Sequence, residues 1–331
     1  MAKNTWHLIG DIGGTNARFG LISESYRTRH TVGNYAVAAY PEFDSVLSEL
    51  HTDLNRAGFD AKSPGDACLA VAGPPNRATV SFTNSPWRFD RGLLREKLGL
   101  TEIHIVNDFA AAARAVPELD DSDLEKIGGG EPVTGEPCVV MGPGTGLGVA
   151  GLLAPQNRPP IVIAGEGGHV DFAPVTDVEA AVLDILRGRF GRVSIERLCC
   201  GDGIVNIYQA LAKHRQLPIN LTTAATIGAA AQAGEDPLSE ETMAIFFAVL
   251  GAAAGNFALT FGARGGVFIA GGIVPRYLDL LRYSDFRARF LAKGRFADYL
   301  SEIPTYMVTH QEPGLIGAAA ILTDTQAGDR P

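Results

Sequence analysis

Basic charge is in short supply: 28 Lys and Arg stand against 37 Asp and Glu, a net charge of -9 over 331 residues. A nucleic-acid partner needs a basic footprint, so this balance argues against one. Cysteine is scarce as well. Cys68, Cys138, Cys199 and Cys200 form no CxxC pair and no disulfide framework, which fits a reducing cytoplasm and offers no structural zinc spacing. Residues 1–7 hold no long apolar run of the kind a secretory signal carries. The Walker A pattern, GxxxxGK followed by Ser or Thr, is missing, and the P-loop class goes with it. One long uncharged stretch does exist, Met243 to Ala263, 21 residues, enough to span a bilayer by length. It is rich in Ala and Gly, is interrupted by Asn256 and Thr260, and lacks a flanking basic cluster. Met243, Phe246, Phe247, Leu250, Ala254, Phe257 and Phe261 recur at helical spacing. A buried core helix explains this better than a membrane span.

What the chain does have is length for two domains, at roughly 150 residues each, and 46% hydrophobic residues, ample for two cores. Leu8 to Leu21, LIGDIGGTNARFGL, reads as two strands joined by a glycine-rich turn carrying one acid. Gly13 and Gly14 can take positive φ and leave N–H groups facing an anion. Asp11 can hold a magnesium ion through water between itself and phosphates; the plainer reading is a hairpin whose acid caps the turn. Downstream come a strand at Tyr35 to Ala39 and an amphipathic helix marked by Phe43, Val46, Leu47, Leu50 and Leu54. Strands follow at Ala67 to Ala72 and Val80 to Asn84, then a helix at Leu93 to Leu98. The strand Ile103 to Val106 leads into an alanine-rich helix opened by Asp108, so this half is α/β. Pro117 to Glu136, polar and acidic, reads as a crossing between domains.

A second strand–bend–strand pattern then begins at Val139, about 130 residues after the first, with Gly144, Thr145 and Gly146 at its bend and no acid there. The GxGxxG match at Gly146, Gly148 and Gly151 stands in a strand–turn–strand context, so it is not read as a dinucleotide fingerprint. A second phosphate loop is the favoured reading over a bare tight hairpin. A third glycine bend, Gly265 to Gly272, ends a strand and leads into a helix from Pro275 to Leu281. The last helix, Gly314 to Leu322, returns to the first half, and the duplicated layout implies two lobes with a cleft.

Three places can carry chemistry. Asn107-Asp108 stands where a strand meets a helix N-terminus, which favours the anionic carboxylate and is where ligands bind in α/β folds. Asp108 there can accept a hydroxyl proton, or it can simply cap the helix. Gly165 to Asp171, GEGGHVD, sets Glu166 and His169 three apart in a loop suited to binding the hydroxyls of a polyol. A metal site is the rival reading, and it lacks nearby Cys or His partners. Glu196 is a further polar contact or a solvated surface charge.

Taken together these residues resemble the bacterial glucokinase family. The matching motifs are GDIGGTNARF at 10–19, IVNDFAA at 105–111, GPGTGLGVA at 142–150, GEGGHVDF at 165–172, ERLCCGDGIVNIY at 196–208 and GGVFIAGGIVPR at 265–276. They run in the family's order into PGLIGAAA at 313–320. The resemblance implies a two-lobed actin-like, ribonuclease H-like ATPase fold with a central cleft. It implies a small domain at 1–117 completed by the helix 311–331, and a large one at 118–310. It further implies ATP-dependent phosphorylation of glucose at the 6-hydroxyl with Mg²⁺, in a cytoplasmic homodimer. Gly10, Asp11, Ile12, Gly13, Gly14 and Thr15 would form the first phosphate loop, with Asp11 facing Mg²⁺. Gly144, Thr145 and Gly146 would form the second, and Gly271 and Gly272 would lie against adenosine. Asp108 would be the base, and Asn107, Glu166, His169 and Glu196 would hold the other hydroxyls. Two departures from related groups matter: Phe172-Ala173-Pro174 follows the Gly-His pair in place of a cysteine-rich zinc motif, and no room precedes Leu8 for a DNA-binding helix-turn-helix. Rival functions are a kinase of another acceptor on this fold and a sugar sensor without catalysis. Donors other than ATP stay open.

Overall fold

Burial decides where each strand of this protein lies, because most strand positions are apolar on both faces. The computed structural model describes residues 6–23, 29–59, 64–73, 75, 77–82, 87–156 and 158–328. They fall into two compact units, Met1–Leu119 with His310–Pro331, and Asp120–Thr309.

The first unit opens with β1 (Trp6–Ile12), β2 (Asn16–Ser23) and β3 (Arg29–Ala36), then α1 (Phe43–Arg56) and β4 (Pro64–Val71). A small ribbon of β5 (Thr79–Ser81) and β6 (Arg88–Asp90), α2 (Arg91–Leu98), β7 (Ile103–Asn107) and α3 (Asp108–Ala115) follow. The main sheet runs β3-β2-β1-β4-β7, with the first three antiparallel and β4 and β7 parallel to β1. Leu8 and Ile12 share a core with Phe43, Val46 and Leu50 of α1, whose apolar residues repeat at helical spacing. Gly10 lies inside the strand: a Cβ there would stand 2.7 Å from Leu69 Cδ2 and 3.2 Å from Phe19 Cε1. The residues after Ala36, expected as strand, instead form a 3-10 turn at Val37–Ala39. Of the strand expected over 80–84, Val80 and Ser81 lie in β5, while Thr83 and Asn84 are outside the described residues.

The second unit contains β8 (Leu124–Gly128), β9 (Cys138–Pro143), β10 (Leu147–Leu153), β11 (Ile161–Gly165), α4 (Asp177–Phe190), α5 (Gly201–Arg215), α6 (Ala224–Ala233) and α7 (Pro237–Phe261). After these come β12 (Gly266–Ile269), α8 (Leu278–Arg282), α9 (Phe286–Leu291), α10 (Ala297–Ser301) and β13 (Thr305–Val308). Its sheet runs β11-β10-β9-β12-β13-β8. The stretch read as a plain crossing thus holds an edge strand, β8, antiparallel to β13. It hides in sequence because one side is unpaired, and Glu125 and Lys126 turn to partners outside the core, Arg282 and Glu131. The helix expected from Pro275 is a 3-10 turn (Val274–Tyr277) running into α8.

The uncharged stretch is α7, and Met243, Phe246, Phe247, Leu250, Ala254 and Phe257 are all buried in the core of this unit. Gly251 and Gly255 let α9 cross it closely: a Cβ on them would stand 2.1 Å from Phe286 O and 2.5 Å from Phe290 O. Glu179 and Arg289 form a buried bidentate pair at 2.6 and 3.1 Å, tying α4 to α9. The last helix, α11 (Pro313–Gly328), packs in the first unit against α3, β1 and β4. Its Leu315, Ala318 and Leu322 cover the sheet face bearing Ile9, Ile22 and Cys68. Arg114 of α3 locks the pair of helices by a two-pronged bond to Asp324 at 2.6 and 3.0 Å.

Candidate active site

In the first unit the strand register lines up the chemistry. Ile12 of β1 pairs with Val71 of β4, and Val71 with Asn107 of β7. The carboxyl ends of three parallel strands therefore share one sheet edge, the place where α/β folds bind ligands. At one end of this row is the bend Gly13-Gly14-Thr15, closed by a 2.9 Å bond from Gly13 N–H to Asn16 C=O, with Thr15 exposed. Neither Gly13 nor Gly14 takes positive φ; their small size, not a left-handed turn, opens the bend. Gly10 and the fully buried Ile12 support it from inside the strand.

Asp11 precedes the bend on the face covered by α11. Arg18 Nη1 stands 3.6 Å from its carboxylate. Burial pushes its carboxyl above the ordinary value, Arg18 pulls the other way, and Glu312 adds to the rise. The first turn of α11 comes so close that a Cβ on Gly314 would stand 2.6 Å from Asp11 Cγ. A desolvated carboxylate is a strong seat for a small cation, and Mg²⁺ typically takes only one or two carboxylates when substrate phosphates complete its shell. Among the described residues no group of three or more Asp, Glu, His or Cys gathers.

At the other end of the row, Asn107 caps α3: its Oδ1 accepts from the N–H groups of Phe109 (2.9 Å) and Ala110 (3.2 Å). The capping role considered for Asp108 thus belongs to its neighbour. Asp108 is the first helical residue, half-buried, and its Oδ1 accepts the Phe109 N–H at 2.9 Å.

The second unit repeats the bend. Gly144-Thr145-Gly146 joins β9 to β10, closed by a 2.8 Å bond from Gly144 N–H to Gly146 C=O, and Thr145 is exposed as Thr15 is. The third bend lies beside it. Ala270 N–H donates to Met141 C=O at 2.8 Å, and Gly271, at φ +89°, comes so near that a Cβ would stand 2.6 Å from Pro143 O. Gly271 is therefore confined to glycine twice over, by φ and by space, while Gly272 next to it is exposed.

Glu166 and His169 sit on a 3-10 turn after β11, both exposed. The glycines of GEGGH serve packing: a Cβ on Gly168 would stand 2.2 Å from Leu147 O, and one on Gly167 2.9 Å from Val149 Cβ. Glu196 is no solvated surface charge. Its Oε2 accepts the Leu147 N–H at 2.9 Å, and its Oε1 lies 3.8 Å from His169 Nδ1. The structure thus brings Glu196 and His169 together, one turn from Glu166. The vicinal cysteines also find roles: Cys199 is core, and Cys200 caps α5 by accepting the Gly203 N–H at 3.3 Å. Burial pushes the Cys200 thiol up to about 11.

A contact not read from sequence is that of Leu147, whose backbone N–H meets Glu196. Nothing in its apolar side chain signals that.

Comparison with known proteins then closes the question of kinship. The glucokinase family model matches residues 8–325. A glucokinase from Marinobacter nauticus is 42% identical over 328 residues, covering 98% of this chain and 100% of the relative. A crystal structure of glucokinase from an Antarctic psychrotroph superposes with a TM-score of 0.81 at 35% identity, covering 96% of this chain and 99% of that one. A more distant glucokinase of the ROK family, from Streptomyces griseus and solved with glucose and AMPPNP, shares the fold at a TM-score of 0.63 and 20% identity, covering 96% and 98%. The two α/β units, each carrying a strand–bend–strand, form the two-lobed actin-like fold of these kinases, and the chain belongs to the glucokinase family.

Proposed function

We propose that the chain transfers the γ-phosphoryl group of ATP to the 6-hydroxyl of glucose, with Asp108 as general base. The observation that carries this reading is the register row Ile12–Val71–Asn107, which puts the first glycine bend and the Asn107-Asp108 pair on one edge of one sheet. Two strand spacings of about 4.8 Å separate them, roughly 10 Å, a span that admits a phosphoryl group and its acceptor hydroxyl.

Phosphoryl transfer asks a protein chiefly for positioning and electrostatic stabilisation. The bends Gly13–Thr15 and Gly144–Gly146 present small residues and one exposed hydroxyl each to the phosphates, with Gly10 and Ile12 behind the first. Gly271 and Gly272 lie against the adenosine. Asn107, Glu166, His169 and Glu196 hold the sugar's remaining hydroxyls. As the 6-oxygen attacks phosphorus, its proton passes to Asp108, and the bond to the bridging oxygen breaks so that ADP leaves. Asp11 is the residue that would hold the nucleotide's Mg²⁺, an ion that would supply charge neutralisation to the phosphates. The Glu166–His169–Glu196 set suits a polyol, whereas a carboxylate acceptor would call for arginine.

The same reading makes the chain a cytoplasmic homodimer, with residues 1–117 and 311–331 as small lobe and 118–310 as large. Four free cysteines, all buried, suit a reducing compartment. The experiment is a coupled assay of ADP release with glucose, mannose, glucosamine and acetate as acceptors, repeated with ADP or polyphosphate as donor and read there as phosphorylated acceptor. Glucose with ATP should give the highest kcat/KM. Sugar-independent ADP release, or a preference for acetate, would overturn the reading.

A further inference from the structure

The phosphate bend and the sugar-binding turn of the second unit meet on one residue, Leu147. Its N–H donates to Glu196 Oε2 at 2.9 Å. Its carbonyl oxygen faces Gly168 so closely that any side chain there would collide at 2.2 Å. The opposite end of the bend is held from the same segment as Glu196, since Gly201 N–H donates to Gly144 C=O at 2.9 Å. Residues 196 to 201 therefore clamp both ends of a three-residue bend. The fit is tight: a Cβ on Gly146 would stand 2.5 Å from Glu196 Oε2. The other carboxylate oxygen, Oε1, lies 3.8 Å from His169 Nδ1, on the side assigned to sugar.

From this geometry we infer that Glu196 is a positioning residue for the nucleotide, coupling occupancy of the sugar site to the shape of the phosphate bend through the Leu147 N–H. The inference rests on the reading of Gly144–Gly146 as a phosphate loop and of Glu196 as a sugar ligand. One carboxylate cannot change its hold on a sugar hydroxyl without changing its hold on Leu147. A sugar that fixes Oε1 also fixes the bend, so each ligand binds better in the other's presence, and by the same factor in both directions.

The test crosses the two sites, measuring binding of glucose and of a non-hydrolysable ATP analogue by calorimetry, each alone and each with the other saturating. Glu196→Ala should weaken the analogue about tenfold with no sugar present, as befits one lost hydrogen bond to a charged acceptor, and should abolish the coupling factor. Glu196→Gln, nearly the same shape, keeps an oxygen for the Leu147 N–H; it should hold the analogue within about twofold of wild type while glucose weakens. That split is one a merely structural residue would not produce. Gly146→Ala, which crowds Glu196 from the phosphate side, should weaken glucose at least threefold in nucleotide-free protein. Wild-type affinity of Glu196→Ala for the analogue, or of Gly146→Ala for glucose, would overturn the coupling and leave the kinase reading intact. A wild-type protein that binds neither ligand would instead overturn the kinase reading.

Discussion

Replacing Asp108 by alanine separates catalysis from folding at a single position. The cap of α3 is Asn107, with two bonds to the Phe109 and Ala110 N–H groups. Asp108 adds a bond to Phe109 N–H and a favourable charge at the helix start, worth about 0.3–1 kcal/mol. Loss of that charge alone should lower the melting temperature by at most a few degrees. The catalytic loss is far larger. General-base help is typically worth about 10² to 10⁴ in rate, or about 2.7–5.4 kcal/mol at 1.36 kcal/mol per decade. Steady-state ADP release should therefore show kcat down at least a hundredfold, while calorimetry still finds glucose binding. Asn107→Ala removes the cap and a proposed sugar contact, costs about 1 kcal/mol of stability and keeps the base. A kcat within tenfold of wild type for Asp108→Ala would refute the assignment. So would a loss of helix content and of glucose binding large enough to account for the fall in rate.

Asp11→Asn should trade activity for stability. A carboxyl raised by burial stabilises the fold below its ordinary value near 3.8 and loses that contribution as pH climbs through the raised value. At pH 7 the variant should thus melt above wild type, with the gap closing toward pH 4, while its rate with Mg²⁺ and ATP falls tenfold or more; an unchanged magnesium requirement counts against the role. Gly251→Ala forces a Cβ to 2.1 Å from Phe286 O and should cost about 1–3 kcal/mol by overpacking. Gly188→Ala, in open space on α4, should gain about 0.5–1 kcal/mol, and urea melts of the pair that fail to diverge would refute the packing argument. Burial lifts the Cys68 thiol to about 12 and those of Cys138 and Cys200 to about 11, so a thiol reagent at pH 8 should leave the native protein untouched and modify all four cysteines once it is unfolded. Rapid reaction of the native protein would contradict that burial.

The elements legible in the sequence are those whose burial writes a period. The spacing of Phe43, Val46, Leu47, Leu50 and Leu54 gave α1, and the aromatic and aliphatic stripe of Met243 to Phe257 gave a core helix, as found. The β8 strand was invisible because it is an edge, half-buried along its length, with charges satisfied outside the core. Among site residues, types and order were readable, whereas the division of labour was not. Cap and candidate base are adjacent residues, Asn107 and Asp108, and only backbone geometry tells them apart. Glu196 stands between polar contact and surface charge in the sequence because its partner is a backbone N–H, which every residue but proline owns. Glycine motifs misled in one respect. Their sequence suggests open loops exposing polar groups, yet several are glycine because a neighbour leaves no space for a Cβ, as at Gly10, Gly146 and Gly168.

The covering of the first sheet by α11 has a consequence for how the chain is made. Ile9, Ile22 and Cys68 emerge early in synthesis, but Leu315, Ala318 and Leu322, which cover them, lie beyond the whole second unit. Asp120 to Thr309, 190 residues, must be translated in between, which at about 5–20 residues per second takes roughly 10–40 s. For that interval the first unit has an apolar sheet face without its lid, and the second completes its own core at Met307, before Leu315 to Leu322 are made. The second unit is thus able to fold first, and the first is the one that needs guarding on the ribosome.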